Sequence, residues 1–177
     1  MRKFVRYAFC ALTALALALP GNQHASGSNG IFTIYLVRHA EKDRHSPDPE
    51  NPGLSPCGEL RAQALATMLG EIDLGKIYST AYLRTLDTAD PVAESQQLKI
   101  EEYDPRNLEE FAALLRNGKQ DALVVGHSNT TGTLAGLIAG TRGEDMDEDD
   151  YDPIYQVVVS ADQSRVYLMH QSFNCPL

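Results

Sequence analysis

Basic side chains are scarce in this chain and unevenly spread. Lysine and arginine number 15 against 24 aspartate and glutamate, and Arg2, Lys3 and Arg6 crowd its start. Residues 28–177 therefore carry 12 basic and all 24 acidic groups, a net charge near −12. Such a surface does not suit nucleic acid or an anionic membrane, which both require clustered cations. Long apolar runs are also lacking. The longest, residues 8–19, is about a dozen residues where a membrane-spanning helix needs about 20. With its basic start, the break at Pro20-Gly21 and the small residues Ala25, Ser26 and Gly27, it reads as an export signal. The expectation is a cleaved signal over residues 1–27 and one mature domain over 28–177, periplasmic or secreted. Cysteine is the third shortage, with three in all. Cys10 lies within the signal and forms no lipobox. Cys57 and Cys175 remain, either bonded, tying the tail back to the loop near residue 57, or separate thiols. With no further ligand at metal spacing they make no zinc site, and no metal or cofactor is expected.

What is present is an alternation of strand and helix patterns. Residues 22–30 are small and polar, a linker. Residues 31–37 are apolar on both faces, as a central parallel strand is. Residues 42–53 are charged and hold Pro47, Pro49 and Pro52, a loop. Ser55-Pro56 supplies a capping hydroxyl and then a proline where no amide is needed. Leu60, Ala64, Leu65, Met68 and Leu69 follow at helical spacing, and Gly70 stops the run. A strand over 76–79 leads to a helix from about residue 82, expected to bend at Pro91. A weaker strand covers 98–101. Asn107 and Glu110 are spaced like a capping box for a helix whose apolar face is Leu108, Phe111, Ala112 and Leu115, ended by Gly118. Strand 122–126 feeds helix 130–139, and 154–160 with 165–170 form a closing hairpin. This order predicts an α/β fold, a three-layer α/β/α sandwich around a mostly parallel sheet.

Two patterns promise more than they deliver. Gly132, Gly136 and Gly140 have the spacing that lets membrane helices touch. The surrounding apolar run is too short to span, so the stripe is read as close packing of this helix on the sheet. The acidic stretch 144–152 places Asp145, Asp147 and Asp149 at calcium-loop spacing. Asp150 stands where that loop needs glycine, and Gln156 where it needs glutamate. A solvated acidic loop is expected.

The chemistry gathers at strand ends. Arg38 and His39 follow the first strand, Thr80 and Arg84 the second, and His127 the strand over 122–126. Ligands of an open parallel sheet bind beyond the carboxyl ends of its strands. Two imidazoles and two guanidiniums converging there suit an oxyanion, phosphate best of all. His45 and His170 are read as ordinary polar residues.

These residues fall in three segments: Leu36-Val37-Arg38-His39-Ala40-Glu41; Tyr78-Ser79-Thr80 with Arg84-Thr85 and Thr88-Ala89; and Val125-Gly126-His127-Ser128. Together they resemble the histidine phosphatase (phosphoglycerate mutase-like) superfamily, over residues 31–170. Arg-His-Ala stands where many members have Arg-His-Gly. The resemblance implies a phosphoglycerate mutase-like fold with His39 as the nucleophile that accepts the phosphoryl group. It places Arg38, Arg84 and His127 around the transferring oxygens. Ser128 and Asn129 either bind phosphate from the start of the last helix or cap that helix, and Glu41 joins them as a substrate-binding candidate. One branch of the family has an acid directly after the second histidine, where this chain has Ser128. The proton donor for a leaving alkoxide is therefore expected after the third strand. Asp104 is the first choice, Glu102 the second, and Glu41 beside the nucleophile the third.

The expected activity is metal-independent hydrolysis of a small phosphomonoester through a phosphohistidine. The shortness of segment 42–53 argues against a phosphoglycerate mutase-type phosphotransferase, which keeps its intermediate from water. A non-catalytic phosphate-binding module is the other alternative. The sequence names neither the substrate nor the oligomeric state.

Overall fold

A computed structural model describes residues 30–175, and the signal read into residues 1–27 lies outside the described residues. Ten elements follow in chain order: β1 (Phe32–Arg38), α1 (Pro56–Leu69), β2 (Lys76–Ser79), α2 (Leu83–Gln96), β3 (Ile100–Glu102), α3 (Leu108–Gly118), β4 (Ala122–Gly126), α4 (Thr131–Ala139), β5 (Pro153–Val159) and β6 (Ser164–His170). Successive side chains of a strand point to opposite faces, and β1 is apolar on both. Ile34 and Leu36 share one core with Val124, Val157, Phe111, Leu115, Leu134 and Ile138. Tyr35 and Val37 share a second with Leu123, Val125, Leu65, Leu69 and Val92. Helices α3 and α4 thus cover one face of the sheet and α1 and α2 the other, the three layers read from the sequence.

The six strands are ordered β3-β2-β4-β1-β5-β6. β1, β2, β3 and β4 are parallel neighbours, while β5 and β6 add two antiparallel pairings. The sheet is mixed and mostly parallel, and its parallel part carries the strand ends of interest. Local expectations held at α1, where Pro56 opens the helix and the Ser55 hydroxyl accepts from the Gly58 amide at 3.2 Å. Helix α2 runs through Pro91 to Gln96. Three details differ. β3 begins at Ile100, because the Leu98 amide, just past α2, is turned back to the Ala93 carbonyl at 3.0 Å. Asn107 precedes α3 without capping it and instead donates its side-chain amide to the Glu110 carboxylate.

The third difference concerns the glycines of α4, which seat a loop. A Cβ on Gly132 would lie 1.9 Å from the Glu144 carbonyl oxygen, and one on Gly136 would lie 2.3 Å from the Gly143 nitrogen. Gly140 has open space beside it and ends the helix in the left-handed region at φ 71°. The backbone of 143–144 therefore rests on α4, at the start of the acidic loop.

Candidate active site

Parallel pairing sets Arg38 of β1 opposite Gly126 of β4, so the two strands end level. The His39 amide continues the ladder, donating to the Gly126 carbonyl at 2.9 Å. The imidazoles of His39 and His127 consequently meet edge to face, with centroids 5.5 Å apart. β2 ends beside β4 and delivers Thr80, whose hydroxyl lies 2.9 Å from His127 Nε2 and 2.9 Å from the Thr85 hydroxyl. Thr85 and Arg84 come from the first turn of α2. Thr88, one turn on, accepts from the Ala40 amide at 2.9 Å and ties that helix to the residue after His39.

His39 is 4% exposed. Its Nδ1 lies 2.8 Å from the Ala40 carbonyl oxygen, an acceptor only, so in the neutral ring Nδ1 holds the hydrogen and Nε2 the lone pair. Burial, opposed in part by that carbonyl and reinforced by Arg38, Arg84 and His127, pushes its pKa down to about 3. Burial also lowers His127, followed by the charges of Arg84 and Arg38, to about 4. Near neutral pH both rings are uncharged, and the positive charge resides on the guanidiniums. Arg84 stacks at 4.4 Å on the Tyr82 ring. Arg38 is buried, lies 4.3 Å from the Tyr151 ring, and gives Nη1 to three main-chain carbonyls: Asp147 at 3.1 Å, Glu148 at 2.5 Å and Asp150 at 3.1 Å.

Arg38, His39, Arg84, His127, Ser128 and Asn129 line one cleft of about 410 Å³. Lys42, Tyr82, Arg106 and Glu148 line it too; the sequence reading missed all four. Arg106 was the most legible of them, two residues beyond Asp104 in an Asp-Pro-Arg run. The residue at the cap position of α4 is Thr130, not Ser128 or Asn129, and its hydroxyl takes the His127 amide at 3.1 Å.

None of the three expected carboxylates is in the cleft lining. Asp104 accepts from Arg106 Nε and Nη2 at 2.9 Å each, and that guanidinium holds its carboxyl below the usual range. A carboxylate stabilised in its charged form is poorly placed to donate a proton, which weighs against Asp104 as the acid. Glu41 points instead to Arg61, taking Nε at 3.0 and 2.9 Å and Nη2 at 2.6 Å. It sits beside the bond between Cys57 and Cys175, whose Cα atoms are 5.5 Å apart. The tail is thereby strapped to the start of α1, and Phe173 lies 5.0 Å from the Arg61 guanidinium. Glu102, the second choice, is exposed at the end of the edge strand β3 and absent from the cleft lining.

The sequence profile of the histidine phosphatase superfamily (branch 1) matches residues 34–113. The chain is 30% identical over 144 residues to the 2,3-bisphosphoglycerate-dependent phosphoglycerate mutase of Thermoplasma acidophilum, covering 76% of this chain and 68% of that protein. The protein histidine phosphatase SixA, solved in complex with tungstate, superposes with a TM-score of 0.64 at 18% identity, over 78% of this chain and 97% of that one. The alpha-ribazole phosphatase from Shigella flexneri superposes with a TM-score of 0.64 at 14% identity, over 82% and 98%. These two superpositions speak for the fold.

Proposed function

Since this chain belongs to the histidine phosphatase superfamily, we propose that it hydrolyses a small phosphomonoester through a phosphohistidine on His39. The observation that carries this reading is the Nδ1 contact to the Ala40 carbonyl. It leaves Nε2 as a neutral nucleophile in a cleft that three arginines, Arg38, Arg84 and Arg106, also line. Phosphoryl transfer depends on positioning and charge stabilisation. Arg38, Arg84 and His127 take the equatorial oxygens, and Ser128 and Asn129 stand beside them. An Nε2–P bond forms as the ester P–O bond breaks, and the leaving oxygen takes a proton. Water then attacks phosphorus, the N–P bond breaks, and inorganic phosphate leaves. Among the described residues Glu148 is the one carboxylate lining the cleft, so it becomes the candidate acid. The arginines supply the positive charge without a metal ion.

The relative named as a mutase supports a second reading, transfer of the phosphoryl group to a second hydroxyl. The short 42–53 segment weighs against it, because a mutase must shield its phosphoenzyme from water. We also place the mature chain outside the cytoplasm. The basic-then-apolar start supports that location, and so does the disulfide, a bond that persists in oxidising compartments.

Purified protein with p-nitrophenyl phosphate tests the reading. Release of inorganic phosphate undiminished by EDTA, an acid-labile label from radioactive substrate, and loss of both in His39→Ala are expected. Turnover surviving in His39→Ala refutes the mechanism; phosphate bound but never released indicates a binding module, and isomerised phosphoglycerate without release a mutase.

A further inference from the structure

We infer that the acidic loop between α4 and β5 is the positioning device for Arg38, and that it works through its main chain rather than its acids. The inference rests on the proposed role of Arg38 in holding a phosphoryl group. Arg38 Nη1 carries two hydrogens, and three carbonyl oxygens of this loop crowd around it. Nε is buried and has no hydrogen-bond partner among the described residues. Nη2 is then the nitrogen whose hydrogens none of these contacts engages. The Tyr151 ring limits the guanidinium on one face. The group is held by one end, with its charge intact.

That last point is chemical. A carboxylate in place of the carbonyls would orient the guanidinium equally well, but it would neutralise the charge that phosphate needs and compete for its hydrogens. Carbonyl dipoles orient it without doing so. Asp147, Glu148 and Asp150 are all exposed, and each meets Arg38 through its carbonyl oxygen rather than its carboxylate.

The loop has no strand or helix of its own to hold its carbonyls in place. Two anchors do so. Met146 is 9% exposed and donates its amide to the Ser128 carbonyl at 2.9 Å, which joins the loop to the turn that carries His127. Upstream, the chain at 143–144 lies in the bare groove of α4, where Gly132 meets Glu144 and Gly143 returns the contact, its Cβ position being 2.0 Å from the Gly132 carbonyl oxygen. Any side chain at Gly132 must lift this backbone, and the carbonyls on Arg38 move with it. Gly132 and Met146 are thus positioning residues for a guanidinium they do not touch.

A double-mutant cycle on inorganic phosphate binding, read by calorimetry in phosphate-free buffer, tests this. Gly132→Ala is expected to weaken phosphate about tenfold in the otherwise native protein, the scale of one charge-assisted hydrogen bond, and to cost nothing further in an Arg38→Ala background. Changing Asp147, Asp149 and Asp150 together to asparagine should leave affinity within about twofold, since the carbonyls remain and exposed charges are screened. Should Gly132→Ala fail to fold, Met146→Ala replaces it in the same cycle. Equal losses in both backgrounds, or no loss at all, overturn the inference, as does a large effect of the asparagine substitutions. A native protein that binds no phosphate overturns the functional reading along with it. One that binds phosphate while ignoring the loop overturns this inference alone.

Discussion

Replacing His39 with glutamine should flatten the dependence of stability on pH. In the unfolded chain a histidine titrates near pH 6.5, whereas burial holds folded His39 at about 3. Between those values the unfolded state binds a proton that the folded state refuses. Stability is therefore fully present above pH 6.5 and falls as the pH drops, by about 1.4 kcal/mol per pH unit once the unfolded imidazole is mostly charged. Integrated from pH 6.5 to pH 4.5, His39 removes about 2 kcal/mol, a large share of the ~5–15 kcal/mol of a typical domain. His127 contributes with the same sign from a more exposed and better screened position, but it is present in both proteins and drops out of the comparison. Urea titrations at the two pH values in phosphate-free buffer of constant ionic strength give the numbers. The native protein should lose about 2 kcal/mol more than His39→Gln over that interval. Parallel losses would mean that His39 titrates near its ordinary value, and that the neutral nucleophile near neutral pH is not a product of burial.

Three further outcomes are expected. Asp104→Asn should change kcat/KM alike on alkyl and p-nitrophenyl esters, because its carboxylate holds the cleft-lining Arg106 rather than donating a proton. Glu148→Gln should lower turnover of alkyl phosphates by about tenfold or more while sparing p-nitrophenyl phosphate, whose leaving group needs no proton; equal loss on both esters removes Glu148 as the acid. Cys57→Ser opens a bridge between residues 118 apart, so denaturant unfolding should show a loss of about 3–5 kcal/mol, and an unchanged midpoint would argue against the bond.

The layers of the fold were legible because β1 and β4 are apolar on both faces and alternate with helical patterns. Only a strand buried under helices on each side reads that way. β3 was hard to place for the opposite reason: it is three residues long at the sheet edge, and two of them are exposed glutamates. The pairing of the two cleft histidines was legible through strand ends, since topology alone brings His39 and His127 together once β1 and β4 pair in parallel. The acid was not. Asp104 lies where a donor was expected, but a side chain two residues away took it, and the order of residues does not show which of two neighbours a guanidinium will choose. The disulfide was open for a similar reason, because a separation of 118 residues says nothing about distance in space.

The acidic loop exposes a deeper limit. Its side chains, read alone, oppose a phosphatase: seven carboxylates within 144–152, in a part of the chain with a net charge near −12, ought to repel an anionic substrate. Salt screens exposed charges beyond about 8 Å, while a guanidinium acts on phosphate at hydrogen-bond range, so the distant charge costs association rate more than affinity. At short range the segment presents carbonyl oxygens, which every residue type carries and no composition records. Pattern reading sees side chains; it misreads a segment whose work is done by the backbone. The glycines of α4 were the visible trace of that work. Mid-helix glycine lowers helix stability relative to alanine, and here the structure puts another stretch of main chain in the space a Cβ would fill. The glycine stripe of α4 thus seats the loop whose backbone, not whose charge, meets the Arg38 guanidinium.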